Sequence, residues 1–584
     1  MNEASTRFSD DVTWADVLRL HAALHADEVA YTMLAGQNSA KDVTYGVLEE
    51  RVRALSSQLQ RMTGPGDRAL LFLPPGLEFV TALLACFHAG VAAVPVPYAD
   101  SPFGVDGQLT RLKAITDDAE PSVLLTTSTY AGAVRANDNG PDLSIPRIDV
   151  TAPRPGIPAD SPARRVSPED IALLQYTSGS TSSPKGVMLT HGNMTANLTS
   201  LTSSLGRDQW TSEADSRLVA VTWLPPFHDM GIAGLLLPLL LGGHCVVMAP
   251  LTFLMRPMRW LEAVSTYGAQ LTGAPNFAFE LCVDRMSPEQ RKTIDLSRLQ
   301  VVVIGAEPVR ARTLNRFADA FQVSGFHPSA FMPSYGLAEA NVYVSGKRER
   351  DGYRSLSIDA GRLENEGLVT PATEGAPERV LVSNGPPPGD IDVRIVDRDT
   401  GAVRPDGRTG EIWISGPNVG LGYWRDAERT ERTFRSRIAG GEGADWLRSG
   451  DIGFLQDGEL YVTGRADDLV FVDGRNIHPQ DVELTVTDSH DALREDMAAV
   501  FTVTGGDEAT VVAVAETTWR ALEDGDAVKE AVVRAIRVKV SEAHAIGLSD
   551  VVLLRRGTLP RTTSGKVQRR QARRLYLSNG LKAW

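Results

Sequence analysis

The sequence predicts an α/β protein that passes into a β-rich region and ends in a small α+β region. Three observations carry this. Buried-looking apolar runs alternate with helical spacing from about residue 13 to 165 and again from 171 to about 340, the pattern of parallel β units. From about 378 the chain turns to short strands and turns, which suits a mainly antiparallel subdomain. After Asp467 a smaller segment sets a helix between two strands.

Taken in order, Tyr45–Leu55 has helical spacing and Gly66-Asp67-Arg68 is a turn. Arg68–Leu73 reads as a strand ended by Pro74-Pro75, because proline cannot donate to a ladder. Phe79–Ala89 is helical and Ala92–Val96 is the next strand. Residues 145–168, rich in Pro, Ala and Asp, read as an exposed connection, and Ile171–Leu174 as a buried strand. Gly231–Gly243 is too short and too broken by Gly and Pro for a membrane span. It reads as a core helix and turn leading into the strand His244–Met248. Further on, Asp392–Val396 and Gly410–Gly416 are strands, and Gly458–Thr463 belongs to a hairpin. Strands near Val511–Ala515 and Val551–Leu554 flank a helix from Val528 to about Ala545.

The 584 residues suggest more than one domain, and 42% hydrophobic with 23% charged is ordinary globular material. A net charge of −14 argues against nucleic acid or an anionic membrane as the main partner. Cys86, Cys245 and Cys282 are far apart in apolar settings and make no metal spacing. With a polar N-terminus that has no signal-peptide pattern, they predict a cytoplasmic protein.

The chemistry concentrates in a few stretches. Thr177-Ser178-Gly179-Ser180-Thr181-Ser182-Ser183-Pro184-Lys185-Gly186 follows a buried strand with small, hydroxyl-rich residues and one cation. Such a segment lets backbone N–H groups form an anion-binding nest for a polyphosphate. It lacks the Walker A pattern. A flexible Ser/Thr/Gly linker is the bland alternative. Trp223–Gly231 places His228-Asp229 at a strand end, where a site histidine and a structural histidine are both admissible. Val301–Pro308 and Phe331–Glu339 each run from a strand into a tight turn beside an acid. There Tyr335 could stack on a flat base and Glu339 could hold a hard cation such as Mg2+. Asp451 and Arg465 bracket the hairpin, a carboxylate suited to a ribose diol and a forked donor. Lys566 lies in a hydroxyl-rich stretch among basic neighbours, eight cations from Arg555 to Arg574, whose default reading is a solvated tail.

With six motifs in this order, the chain resembles the adenylate-forming superfamily of acyl-CoA synthetases, peptide-synthetase adenylation domains and luciferases, over almost its whole length. Within it the chain looks most like the fatty acyl-AMP ligases. The histidine motif Trp-Leu-Pro-Pro-Phe-His-Asp-Met-Gly, the segment Thr272–Ala278, and a long polar segment at about 345–380 before Leu381-Val382-Ser383-Asn384-Gly385 carry that likeness. The resemblance implies a large N-terminal domain, 1–466, of two αβ subdomains plus a β-rich subdomain at about 378–466. A small mobile C-terminal domain, 467–584, follows, with Asp467 at the hinge position.

It also implies roles. Thr177, Ser178, Gly179, Ser180, Thr181 and Lys185 would hold the β- and γ-phosphates of ATP. Gly305, Ala306, Glu307 and Pro308, with Ser334, Tyr335, Gly336 and Leu337, would sandwich adenine. Glu339 with Thr177 would serve Mg2+, and Asp451 with Arg465 the ribose. His228 would stand near the fatty acid carboxylate, Lys566 would bridge that carboxylate and the α-phosphate, and Gly231, Ala274, Phe277 and Ala278 would line an apolar acyl pocket. Ser182-Ser183 departs from the family's usual Thr-Gly, which puts the phosphate contacts of that segment in doubt.

The implied activity is conversion of a fatty acid to its acyl-adenylate, then transfer to the phosphopantetheine thiol of a separate acyl carrier protein, since no carrier domain is visible after Lys566. The 345–380 segment is expected either to obstruct the use of free CoA or to be a tolerated surface loop. Arg569 and Arg570 are expected to help dock the acidic carrier, unless that basic face is merely solvated. An ordinary acyl-CoA synthetase and a non-catalytic nucleotide-binding relative are the competing readings. An amino-acid adenylation domain fits less well, because the His228-Asp229 motif differs from theirs.

Overall fold

A computed structural model describes residues 12–36, 39–97, 105–129, 145–152, 164–177, 184–206, 217–349, 351–375, 377–441, 443–472, 475–505, 508–518, 526–544, 546–561 and 567–584. The chain divides into two compact units: residues 1–354, 384–394 and 413–449, and residues 355–383, 395–412 and 450–584.

Among the described residues, two sheets form the first unit. In one, eight strands run in the order Ser345–Gly346, Phe331–Tyr335, Val301–Ile304, Leu271–Ala274, Val219–Thr222, His244–Met248, Val29–Ala35 and Ser39–Thr44. The six inner strands are parallel, and the two edge strands are antiparallel. In the other, seven strands run in the order Gly422–Tyr423, Lys185–Thr190, Ile171–Thr177, Ala92–Pro95, Arg68–Leu71, Val123–Thr126 and Arg147–Asp149. The two sheets do not follow the two halves of the sequence. Val29–Ala35 pairs with His244–Met248, while Ile171–Thr177 pairs with Ala92–Pro95.

The helices that the spacing predicts are present, with ends shifted by a few residues, and others such as Trp14–Leu24, His191–Ser204 and Ala311–Phe321 accompany them. Tyr45–Met62 buries Leu48, Val52, Leu55 and Leu59 on one stripe, the three-to-four-residue period of an amphipathic helix. Leu77–Ala89 is buried on every side and stops at Gly90 in the left-handed region, φ +64°. Asp229–Leu240 follows His228 and carries Ile232, Leu235, Leu236 and Leu239 into the core.

The second unit contains an antiparallel hairpin whose strands are Leu447–Gln456, from Gly450 on, and Glu459–Arg465. Strands Leu493–Gly505, Glu508–Thr517 and Leu548–Leu554 form a three-stranded sheet under the helix Asp526–His544, with Val500, Val511, Val532, Ile536 and Val540 in one core. The polar 355–380 stretch is structured: Ser355–Asp359 pairs with Glu378–Val382, and a short helix, Ala360–Glu366, lies between. Ile358 and Leu363 pack there with Leu381, Phe454 and Tyr461.

Candidate active site

Four of the motifs leave one edge of one sheet. Strands Val219–Thr222, Leu271–Ala274, Val301–Ile304 and Phe331–Tyr335 are parallel neighbours, so their C-terminal ends lie together. From these ends come Trp223–Asp229, Pro275–Ala278, Gly305–Pro308 and Gly336–Glu339. Ligands of open parallel sheets bind at that edge.

The turns there are close and strained. A Cβ on Gly305 would stand 2.7 Å from the Ser334 carbonyl oxygen, and one on Gly336 would stand 1.5 Å from that of Val342. No side chain fits at either position. Ala306 sits at φ +67°, Asn341 at +53° and Val342 at +82°. For a β-branched residue this is an outlier costing on the order of 1–2 kcal/mol, and such strain collects at functional sites. Two fully buried asparagines hold the Glu339 segment in place. Asn197 Nδ2 donates to the carbonyls of Ala340 at 3.3 Å and Tyr343 at 2.6 Å, and Asn418 Nδ2 donates to both at 3.2 Å. Asn276 Nδ2 donates to Pro308 O at 2.9 Å, fixing the turn after Gly305. Ala306 and Pro308 are exposed, and Glu307 Oε1 is buried without a hydrogen-bond partner among the described residues. The Ser334 hydroxyl turns back to Met332 O at 3.1 Å, and Tyr335 is 8% exposed.

The other sheet contributes the ends of the hydroxyl-rich Thr177–Lys185 motif. Thr177 and Lys185 face each other in the antiparallel register of their strands; Ser178, Gly179, Ser180 and Thr181 lie outside the described residues. The Lys185 ammonium stands 5.4 Å from the centroid of the Tyr423 ring, a cation–π contact. The Tyr423 hydroxyl donates to Glu339 Oε1 at 2.7 Å, and Gly420 N–H donates to Glu339 O at 2.9 Å. Gly422–Tyr423 pairs with Val187 and Met188, so this aromatic residue is fixed by backbone. Gln175 Nε2 donates to Phe227 O at 2.8 Å, tying the strand before the phosphate motif to the residue before His228. The His228 ring lies 4.7 Å from that of Phe227.

The four expected acyl-pocket residues are packed against their neighbours. Ala274 and Ala278 are fully buried, Gly231 is pressed against the Pro225 carbonyl, and Phe277 meets Trp223 edge-on with ring centroids 6.1 Å apart. A narrow cleft, with room for little more than one water molecule, is lined by Ile232, Ala233 and Leu236 of the Asp229–Leu240 helix with Leu173, Leu189, Met194, Leu198 and Val342. Its polar lining is Gln175, Asp229 and Asn341.

The AMP-binding enzyme family matches residues 18–424, and the family described as the Disco-interacting protein 2-like AMP domain matches 467–584. A medium-chain-fatty-acid–[acyl-carrier-protein] ligase, JamA, of Moorena producens is 38% identical over 98% of this chain and 96% of its own. The chain belongs to the fatty acyl-AMP ligases, within the AMP-binding enzymes. A fatty acid AMP ligase from Legionella pneumophila has a similar crystal structure, with TM-score 0.75 and 33% identity over 100% of this chain and 98% of that one. A fatty acyl-adenylate ligase of the same organism, solved with acyl adenylate and pyrophosphate, gives TM-score 0.74 and 32% identity over 97% of each chain.

The second unit of this fatty acyl-AMP ligase carries the remaining residues. Asp451 and Arg465 stand opposite each other in the hairpin and form an ion pair at 3.2 Å, with Asp451 buried and Arg465 exposed. Asp467 lies in a short turn, Ala466–Asp468, and its carboxylate accepts from Arg570 at 2.9 Å. Lys566 lies outside the described residues. Arg569 is not a free docking cation: it is turned inward onto Glu483 and Asp468. Among the described residues of the basic cluster, Arg555, Arg556, Arg573 and Arg574 are exposed.

Sequence reasoning missed Tyr423, Asn197 and Asn418. It also missed Arg379, on the Glu378–Val382 strand, which pairs with Asp481 of the Pro479–Thr487 helix at 3.1 Å and donates to Thr463 O at 3.0 Å. Burial first, and the Arg379 charge second, hold the neighbouring His478 imidazole well below its usual range.

Proposed function

We propose that this chain joins a fatty acid to AMP, using ATP and releasing pyrophosphate, and then passes the acyl group to the phosphopantetheine thiol of a separate acyl carrier protein. One observation carries the nucleotide half: Lys185, Tyr423 and Glu339 form a row of cation, ring and carboxylate beside the strand end at Thr177. The relative that acts on an acyl carrier protein, similar over nearly its full length, supports the second half.

In this reading the carboxylate oxygen attacks the α-phosphorus, the bond to the pyrophosphate oxygen breaks, and pyrophosphate leaves. The enzyme positions and neutralises rather than forming a covalent intermediate. Thr177 and Lys185, with the intervening segment, receive the β- and γ-phosphates. The Gly305–Pro308 and Ser334–Leu337 turns take adenine, and the unpartnered Glu307 Oε1 offers it an acceptor. Asp451 takes the ribose hydroxyls. Lys566 meets the charge that grows on the transferring phosphate, so it acts on kcat more than on ATP binding. The hydroxyl of Thr177 and the carboxylate of Glu339 are oxygen donors of the kind a hard cation takes. Mg2+ held there would neutralise charge on the phosphates. The acyl chain takes an apolar pocket beside Gly231, Ala274, Phe277 and Ala278.

The choice of carrier thiol over CoA rests on the Arg379–Asp481 pair, which ties the Glu378–Val382 strand of the polar segment to a helix beyond Asp467. A tied helix resists the swivel that would admit free CoA. Among the described residues no helix is long and apolar enough to cross a membrane. The three buried, unpaired cysteines support a reducing, cytoplasmic setting. ATP–pyrophosphate exchange tests the first half: exchange that depends on added fatty acid supports it, and exchange without fatty acid, or none at all, refutes it.

A further inference from the structure

The narrow cleft beside Ile232, Ala233 and Leu236 has a polar corner made by Gln175, Asp229 and Asn341. Gln175 lies two residues before Thr177 on the Ile171–Thr177 strand and is 2% exposed. Its Nε2 donates to Phe227 O at 2.8 Å. A carbonyl oxygen only accepts, so the amide nitrogen faces Phe227 and the amide oxygen faces elsewhere. That oxygen, Oε1, is buried without a hydrogen-bond partner among the described residues. Asp229 opens the Asp229–Leu240 helix directly after His228, and its Oδ1 accepts Met230 N–H at 2.8 Å. Asn341 stands two residues after Glu339 in the left-handed region, φ +53°, and its neighbour Val342, at φ +82°, also lines the cleft.

A buried amide oxygen without a donor bears the full cost of its desolvation. Such atoms are ordinarily met by protein groups or by ordered water. A buried water makes about three hydrogen bonds, whereas cavities that stay dry are apolar throughout. This cleft has room for little more than one water, and its corner supplies three polar side chains, one of them with the unmet acceptor.

We propose that the cleft is a binding site for a single ordered water, which donates to Gln175 Oε1 and joins it to Asp229 and Asn341. The three residues belong to three different motif-bearing elements: the strand that enters the Thr177 stretch, the helix that follows His228, and the turn that follows Glu339. One water therefore ties these elements together. It also holds the Gln175 amide in the orientation that supports Phe227 O, the residue before His228. Without the water, that amide gains by turning its oxygen to another donor, and the Phe227 carbonyl loses its partner. The positioning role rests on the functional reading given above; the water site itself does not.

The test compares the full-length parent with Ala233→Val and Ala233→Thr. Ala233 lines the cleft and lies outside the Trp223–Gly231 motif. The two substitutions have the same shape and branching, but the first puts a methyl group where the second puts a hydroxyl. Crystallography at a resolution that shows ordered water, thermal melting, and fatty-acid-dependent pyrophosphate exchange per active site, well below the melting transition, are the readouts. The parent is expected to hold a water about 2.8 Å from Gln175 Oε1. Ala233→Val should exclude it, melt several degrees lower and exchange severalfold more slowly, with the loss in kcat. Ala233→Thr should recover most of both losses. A parent structure with a dry cleft, or with Gln175 Oε1 on a protein donor, overturns the site, even where Ala233→Val fails to fold. Equal exchange by the two variants overturns the positioning role. A parent with no fatty-acid-dependent exchange overturns the functional reading and the positioning role together, while the density still decides the water site.

Discussion

The Tyr423 hydroxyl donates a 2.7 Å hydrogen bond to Glu339, while the face of the same ring carries the Lys185 ammonium 5.4 Å from its centroid. One aromatic side chain thus sets the spacing between a candidate phosphate cation and a candidate metal ligand. A hydrogen bond to a charged acceptor contributes about 1.5–3 kcal/mol. Tyr423→Phe keeps the ring and removes that bond, so kcat/KM for ATP in pyrophosphate exchange should fall roughly tenfold to a hundredfold. Tyr423→Leu, which also removes the cation–π face, should fall further. Equal activity of Tyr423→Phe and the parent would remove Tyr423 from the site.

Asn197 and Asn418 meet the same two carbonyls, of Ala340 and Tyr343, from elements far apart in the chain. Truncating either to alanine leaves both carbonyls with one donor fewer and should cost about 1–3 kcal/mol of stability. Because the held segment includes the strained Asn341-Val342 and follows Glu339, activity at a temperature well below the melting transition should also drop. Lower stability with unchanged exchange would show that these asparagines support the fold without setting the position of Glu339.

The Arg379–Asp481 pair makes the acceptor question accessible by point substitution. Deleting 351–375 would also strip Ile358 and Leu363 from their cluster with Leu381, Phe454 and Tyr461, and so would confuse tethering with stability. Arg379→Ala and Asp481→Ala should leave acyl-adenylate formation near normal and raise acyl-CoA formation severalfold. No gain in CoA use in either variant would remove the tether.

Stability should fall on the acid side. His88 and His191 are buried, and burial pushes each imidazole down to about 4. Unfolded, the same groups take a proton near 6.5. Acid in that interval therefore protonates the unfolded chain before the folded one. The stability tied to keeping these rings neutral is complete above about pH 6.5 and is lost as pH falls toward 4, several kcal/mol for the two together. Urea unfolding followed from pH 8 to 5 should show the decline, and His191→Gln should make it shallower. A flat profile would contradict the buried, neutral state of these rings.

The sheet edge was legible in the sequence because each strand there is a short apolar run that stops at a glycine or proline turn. Gly305 and Gly336 are needed by close backbone approach, and such needs leave a local mark. Tyr423 left none. Its partners Glu339 and Lys185 are brought to it by sheet pairing, and nothing near residue 423 signals that. The same holds for Arg379, whose partner lies in another element. Arg569 reads as one of a run of solvated charges until Asp468 and Glu483 are seen beside it. The strand Leu493–Gly505 was missed because its Arg494-Glu495-Asp496 stretch breaks the apolar alternation; there Asp496 takes φ +58° and the register shifts.

The most direct test is mass spectrometry of the products formed from ATP, Mg2+ and dodecanoate with CoA and a phosphopantetheine-bearing carrier protein both present. The account predicts dodecanoyl-adenylate with pyrophosphate, followed by acylated carrier, with little acyl-CoA. Rapid acyl-CoA formation that leaves the carrier unmodified would contradict it, as would the absence of any adenylate.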